Sequence, residues 1–304
     1  VLALRNVTSG SKNIAIGCKA GEHNTFFAGF DPVDTISIGN RAGDNAFRSG
    51  DRNIFIGLQA GRNMSAGVSA SCTQNLGNIF IGAAAGMNAA AGDSKMCGNV
   101  VMGMCAGAFA GCSTSDVDYK NNVLLGYCAG FGFKGNCNVF LGAYAGRASS
   151  RGLSNIGIGL SVNMPDPNGS NQLAIGQTSQ YWITGDQYFN VGVGIATPTA
   201  QLDVNVGSSV TAFNVAGSEG QLFSVTNNLT SGSIFEVNDV SGMPSIDVNA
   251  DGTIQLAPHG AGELVGIGTT VPTSKLHVVG DTLVTGISTF EEVRFANNNR
   301  LKFG

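Results

Sequence analysis

Hydrophobic and polar positions along the first half of the chain follow one short template: Asn, apolar, any residue, apolar, Gly, two variable residues, Ala, Gly. It appears as NIAIGCKAG (13–21), TISIGNRAG (35–43), NIFIGLQAG (53–61), NIFIGAAAG (78–86), NVVMGMCAG (99–107), NVLLGYCAG (122–130) and NVFLGAYAG (138–146). Two decayed copies follow, NIGIGLSVN (155–163) and QLAIGQ (172–177). The central glycines are Gly17, Gly39, Gly57, Gly82, Gly103, Gly126, Gly142, Gly159 and Gly176, spaced 22, 18, 25, 21, 23, 16, 17 and 17 residues apart. An apolar-x-apolar triplet puts two aliphatic side chains on one face of a short strand. The glycine after it lets the backbone turn where φ must be positive or a Cβ would clash. One such rung cannot bury its apolar face alone, so rungs are expected to stack at about 4.8 Å, each aliphatic pair lying on the next to form a wall. Nine rungs would make a rod about 40 Å long. The uneven spacing then falls in loops such as 65–76 and 111–121. The small Ala-Gly pairs suit close approach of a second backbone, read here as another chain.

A different alternation begins near residue 208. Phe213-Asn214-Val215, Phe223-Ser224-Val225, Phe235-Glu236-Val237 and Ile246-Asp247-Val248 place valines 10, 12 and 11 residues apart, with Ile254-Gln255-Leu256 as a weaker fifth copy. Turn clusters between them predict short strands joined by tight reversals. Each such strand has one apolar edge, which three copies of the chain around an axis would bury. Flanking this block, GVGIATPTAQLDV (192–204) is repeated 74 residues later as GIGTTVPTSKLHV (266–278). Here Gly192, Gly194 and Pro198, matched by Gly266, Gly268 and Pro272, mark a Gly-rich strand, a turn closed by proline, and a new strand. The motif reads as a joint. The expected architecture is therefore all-β and fibrous. A Gly-rich stacked-rung β-solenoid or β-roll (1–179) leads through a joint (180–207) into an interlaced, triangular trimeric β-shaft (208–262). A second joint with its following shaft strands (263–304) completes the chain.

Composition agrees with that picture and removes others. Of 304 residues, 45 are Gly and only 12% are charged, which argues against a helical enzyme. Seven prolines and no three-residue glycine period exclude collagen, and 43% apolar residues exclude disorder. Net charge is −4 with 16 Lys and Arg spread thinly, so no basic stripe exists for nucleic acid. No apolar run reaches the ~18 residues of a membrane helix. The start at Val1 and the end at Gly304 inside a strand pattern lead one to expect a piece of a longer chain. Cys18, Cys72, Cys97, Cys105, Cys112, Cys128 and Cys137 are odd in number and lack a CxxC pair. They read as reduced and structural, and no metal site or cofactor is expected. Cys105 and Cys128 share a template slot, so stacking sets them near disulfide range, but a small apolar filler in a tight wall is the favoured reading.

Several stretches resemble tail fibres of marine cyanophages and related tailed phages: QLFSVTNNLTSGSIFEVNDVSGMPSIDV (221–248), VGIGTTVPTSKLHVVGD (265–281), GISTF (286–290) and FANNNRLKFG (295–304). The NIxIGxxAG copies are also similar to the β-roll heads of trimeric autotransporter adhesins, from which this chain departs in its uneven spacing and extra Asn. The resemblance implies a homotrimeric, non-enzymatic fibre protein, assembled in the host cytoplasm and carried on the extracellular virion tail. Its expected partners are itself, other tail or baseplate proteins, and a host-surface glycan or protein receptor. A trimeric bacterial surface adhesin and a polysaccharide-degrading tailspike are the alternatives.

Candidate sites follow from these readings. Phe26, Phe27 and Phe30 cluster in the first long insertion, and Tyr181-Trp182 close the repeat array. Exposed aromatics of this kind stack on sugars or grip a receptor, while the same residues would equally plug an open end of a solenoid. A tailspike would need paired carboxylates, for which Asp31 with Asp34, Asp116 with Asp118 and Glu291 with Glu292 are the candidates. Each pair reads more simply as solvated turn residues. His23, His259 and His277 are far apart, and His277 stands where the other joint copy has Asp203, so no catalytic role is expected of it. No G-x-S-x-G elbow, G-G-x-G-x-D calcium array or glycine loop leading into a helix is present.

Overall fold

The computed structural model describes residues 3–4, 10–22, 33–46, 51–64, 76–89, 96–109, 119–148, 151–178, 180–208, 211–218, 220–227, 230–259 and 262–286. Every regular element among them is a strand, and the chain divides into two units, Val1–Gly207 and Ser208–Gly304.

The first unit is a stack of rungs. Each template copy contributes one short strand: β1 (Ile14–Ile16), β2 (Ile36–Ile38), β3 (Ile54–Ile56), β4 (Ile79–Ile81), β6 (Val100–Met102), β8 (Val123–Leu125), β9 (Val139–Leu141), β10 (Ile156–Ile158) and β11 (Leu173–Gln177). All nine pair in parallel, each with the next copy and in one register, Ile14 opposite Ile36 and so on to Ile158 opposite Ile175. On another side of the rungs, β5 (Met96–Cys97) and β7 (Tyr119–Lys120) pair as a separate two-stranded ladder where two insertions return to the stack.

Burial inverts the expected wall. The template's unspecified middle slot points inward, with Ser37, Phe55, Phe80, Val101, Leu124, Phe140 and Ala174 buried. The conserved-looking aliphatic pair points outward; Ile14 is 49% and Ile16 59% exposed. Side chains alternate along a strand, so only one set can face in. The turn after the central glycine folds back and fills that side with Ala20, Ala42, Ala60, Ala85, Ala106, Ala129 and Ala145, all buried. A Cβ on Gly61, Gly86 or Gly146 would enter the ring of Phe55, Phe80 or Phe140 in its own rung. The Ala-Gly pairs therefore pack against their own rung, not against another chain.

The first eight central glycines, Gly17 to Gly159, have φ between +125° and +139°. A Cβ on Gly17 would stand 2.6 Å from the carbonyl oxygen of Gly39, and the same collision recurs up the stack. Gly176 departs from the expectation: it lies inside β11 without a positive φ, because the chain reverses there into β12 (Gln180–Gly185), which runs antiparallel.

The Asn that opens each copy forms a buried ladder. Asn53, Asn78, Asn99, Asn122, Asn138 and Asn155 are buried. Asn78 donates both its backbone N–H (2.9 Å) and its Nδ2 (3.0 Å) to Asn53 Oδ1. The pattern repeats with Asn99 on Asn78, Asn122 on Asn99 and Asn138 on Asn122, and the backbone N–H groups of Asn155 and Gln172 continue it. The second Nδ2 hydrogen reaches back to the insertion, donating to Met96 O, Tyr119 O, Gly135 O and Gly152 O in successive rungs. Asparagine suits the slot because it carries an acceptor and two donors on a short stem, and a buried polar group left without partners costs about 1–3 kcal/mol.

β12 is followed by β13 (Val191–Val193), antiparallel to it, and β14 (Leu202–Val204), parallel to β13, which completes a twelve-stranded sheet. In the second unit, β15 (Thr211–Gly217), β16 (Gly220–Thr226), β17 (Ser233–Asn238), β18 (Pro244–Asn249) and β19 (Ile254–Leu256) form an antiparallel meander. Its register sets Phe213 against Val225, Phe223 against Val237, Phe235 against Val248 and Ile246 against Leu256, so the apolar positions share one face. Phe213, Phe223 and Phe235 stack edge to face at 5.7 and 5.2 Å. β20 (Val265–Ile267) and β21 (Leu276–Val278) pair in parallel.

The two joint motifs are thus one structural unit used twice. Gly192 stands opposite Asp203 as Gly266 does opposite His277. A Cβ on Gly194 would strike Asn205 O, and one on Gly268 would strike Val279 O. Thr199 donates its N–H (2.9 Å) and Oγ1 (3.0 Å) to Asp203 Oδ2, while the N–H of Thr273 donates to His277 Nδ1 (3.3 Å). His277 is a turn-closing acceptor in Asp203's place.

Candidate functional site

Three surfaces of the first unit carry side chains that the fold itself does not consume. The broadest is the outward face of the twelve-stranded sheet. The aliphatic pairs of β1 to β11 continue in register through Ile183, Val193 and Val204, and through Val191 and Leu202. They make two adjacent apolar columns, one unbroken across all twelve strands and one interrupted at Gly185 in β12, ~50 Å long at the usual strand spacing. Trp182, at a register shift in β12, is 69% exposed beside Ile183. Its neighbour Tyr181 turns the other way, packs on the core and donates its hydroxyl to Asn163 O (3.1 Å). Burial raises the Tyr181 phenol above its usual range. Tyr181 therefore packs on the core while Trp182 stands on the surface.

A second surface is a cleft of about 210 Å³ among Pro165, Asp166, Ser170, Asp186, Tyr188 and Pro198. It brings together two carboxylates that the sequence had not paired. Both hold turns, however. Asp166 Oδ1 accepts from Asn168 N (2.9 Å), and Asp186 accepts from the N–H groups of Tyr188 (2.9 Å) and Asn190 (3.0 Å) and from Asn190 Nδ2 (2.9 Å). Partial desolvation pushes Asp186 up, but these donors outweigh it and hold the carboxyl below its ordinary value. A general acid for glycoside cleavage needs the opposite shift.

The third surface is a cluster of rings on the rungs of β6, β8 and β9. Phe109 and Phe131 are tilted at 5.5 Å, and Tyr127 meets Tyr144 edge-on at 5.1 Å. The Arg147 guanidinium joins the two pairs, 5.9 Å from the centre of the Phe131 ring and 5.3 Å from that of Tyr144. The Tyr127 phenol, hydrogen-bonded to Tyr144, is pushed up to about 12. An open groove of about 420 Å³ runs beside the cluster, lined by Tyr144, Arg147, Ala148, Ser161 and Asn163. Sequence analysis missed this site. Its signal was available, because every member stands one to six residues after a central glycine, Tyr127 and Tyr144 in the template's variable slots and the others just beyond the template.

Phe26, Phe27, Phe30, His23, Asp31, Asp116, Asp118, Glu291, Glu292, Cys72 and Cys112 lie outside the described residues. Asp34 is exposed with φ +56°. His259 and His277 are in the second unit and part of no cluster with metal-binding geometry among the described residues. Cys105 and Cys128 are free thiols in contact; burial first, then the neighbouring Cys128, raises the Cys105 thiol. Compared with protein families, characterised proteins and solved structures, the chain matches none.

Proposed function

We propose that this chain is a structural, non-catalytic segment of a tailed-phage tail fibre, that three copies associate into a rod, and that the rod contributes to host attachment. The observation that carries this reading is the uncovered apolar ladder on the first unit. Two aliphatic columns, one running across all twelve strands and the other interrupted only at Gly185, make a contiguous apolar patch of a kind monomeric proteins rarely leave in water. A second such face, the Phe213, Phe223 and Phe235 side of the meander, supports the same reading. Copies of one chain related by rotation supply identical ladders of equal length and pitch, which a partner of different sequence would have to match by design. The resemblance of residues 221–248 and 265–281 to fibre shafts supports a phage origin over a bacterial adhesin. Stiffness comes from the stacked backbone ladders, and contact with other tail or baseplate proteins and with a host glycan or protein is assigned to the surface slots and insertions.

Sedimentation velocity on the purified chain tests the reading. The expected particle has about three times the chain mass of 31.0 kDa and an elongated frictional profile. A monomer at micromolar concentration overturns it.

A further inference from the structure

We propose that the cluster of Phe109, Tyr127, Phe131, Tyr144 and Arg147 is a binding site for a carboxylated sugar, presented as part of a surface polysaccharide. The setting of that polysaccharide, a host surface, rests on the fibre reading; the chemistry of the site does not.

The first argument is shape and composition. A pyranose has one face of C–H groups that lies against an aromatic ring, and a rim of hydroxyls that needs donors and acceptors. The groove is lined by Tyr144, Ser161 and Asn163, which supply a ring, a hydroxyl and an amide whose Oδ1 accepts from the Ala148 N–H (3.0 Å) while its Nδ2 can donate. Its volume of about 420 Å³ is in the range of small-ligand sites.

The second argument is charge. Arg147 is exposed, and no carboxylate among the described residues pairs with it. Its guanidinium is instead held over two rings, which orients the planar fork while leaving its N–H edge for an acceptor. Among the described residues, none that lines the groove is acidic. A planar, bidentate carboxylate matches that fork better than a hydroxyl does.

The third argument compares equivalent slots. Arg147 stands five residues after its central glycine, where the first three rungs hold Glu22, Asp44 and Arg62. Those three are tied into ion pairs on the stack: Lys19 to Glu22 at 3.3 Å, Arg41 to Asp44 at 3.8 Å and Arg62 to Asp44 at 3.6 Å. In those rungs the fold neutralises its own charges. At Arg147 it supplies rings in place of a counter-ion, an arrangement that leaves the positive charge open to an incoming anion.

The test uses the whole 304-residue chain and immobilised oligosaccharides: trigalacturonate, an alginate trimer and a hyaluronan tetrasaccharide, each beside its methyl ester. The expected result is binding of at least one acidic probe, with its ester about tenfold weaker or more. Arg147→Gln should lose the preference for the acid over the ester. Arg147→Lys should keep the charge preference but bind more weakly, since the ammonium lacks the fork. Tyr144 has φ +59°, so Tyr144→Asn removes the ring with a residue that tolerates that backbone, and binding should fall about tenfold. Failure of all three acids to bind overturns the proposal, as does equal binding of acid and ester or indifference to Arg147→Gln. Protection of Arg147 from phenylglyoxal in the trimer, lost on dissociation, also overturns it by placing another copy over the cluster. Sedimentation of the same sample separates the two readings. A monomer that binds the acid sinks the fibre and keeps the site, and a trimer that binds nothing does the reverse.

Discussion

The two units solve the same problem with opposite completeness. Every fully buried apolar side chain among the described residues lies in the first unit, from Ala20 to Ala174. Among the described residues of the second, the only buried ones are polar, Ser224 at 2% and Asp247 at 7% exposed, while its Phe and Val face stays half open. The difference is one of layers. A parallel rung returns on itself, so its strand and its turn enclose a core between them, and Phe80 has Gly86 and its neighbours as a lid. A meander is a single layer, and its apolar face waits for a second surface. The first unit is therefore self-sufficient inside and unfinished outside, whereas the second is unfinished on the face that should be its core.

The comparison breaks most visibly at the glycines. Gly103→Ala, at φ +136° with the carbonyl of Gly126 in the way, should cost about 5 kcal/mol or unfold the stack. Gly252→Ala, at φ +87° with open space around it, should cost only about 1 kcal/mol. Urea midpoints read by segment-resolved hydrogen exchange decide it, and equal losses would mean that backbone crowding does not distinguish the units. Next, Phe80→Ala should cost about 4 kcal/mol at any protein concentration, because its core is internal. Phe235→Ala should cost about 1–2 kcal/mol in dilute chain and rise with concentration as copies cover the face. A concentration-independent Phe235 penalty removes the second unit's need for partners.

Asn99→Ala should destabilise the first unit by about 2–3 kcal/mol, since it strands the N–H of Asn122 and the carbonyl of Tyr119. A loss below about 0.5 kcal/mol in denaturant titration would show that the ladder fills space without holding the rungs. The smallest effect is in acid. Hydrogen bonds, from the Ser241 hydroxyl to Asp239 and from the Thr253 N–H to Asp251, hold these two carboxyls of the second unit below 3.8. Their stabilisation is present above pH 3.8 and fades as pH falls through the lowered values. Asp44 in the first unit moves the other way: burial, opposed by Arg62, raises it, so its ionised form is disfavoured and stability returns as pH falls through the raised value. Asp44→Asn should thus be neutral to slightly stabilising at pH 7, and Asp251→Asn slightly destabilising there. Exchange measured from pH 7 to pH 3 should show the meander loosening first.

Much of this was legible in the chain, and for a local reason. The positions of the rungs follow from glycines whose positive φ and lack of Cβ are needed within a few residues, so Gly17 to Gly159 announce the turns before any tertiary contact is known. The registers of Phe213, Phe223 and Phe235 follow equally from a two-residue period between turn clusters. Gly176 misled because the same residue serves a strand bulge as readily as a turn, and the choice depends on where β12 lies. The ring cluster was invisible because its members come from three rungs, up to 38 residues apart, and meet only when those rungs stack.

What the amino-acid sequence determined by itself is the repeat: strand, glycine, turn, and a parallel stack as the arrangement that pairs so many three-residue strands. What only the tertiary structure decided is which side of each strand is inside. In Ile54-Phe55-Ile56 both faces are apolar, so alternation alone cannot choose, and the choice falls to the Ala-Gly turn that folds over Phe55 and leaves the isoleucines outside. The same closure aligns Asn53 with Asn78 into a buried ladder. It also turns Tyr144 and Arg147 outward, because the interior of each rung is already filled by the middle strand residue, the turn Ala and the Asn of the ladder.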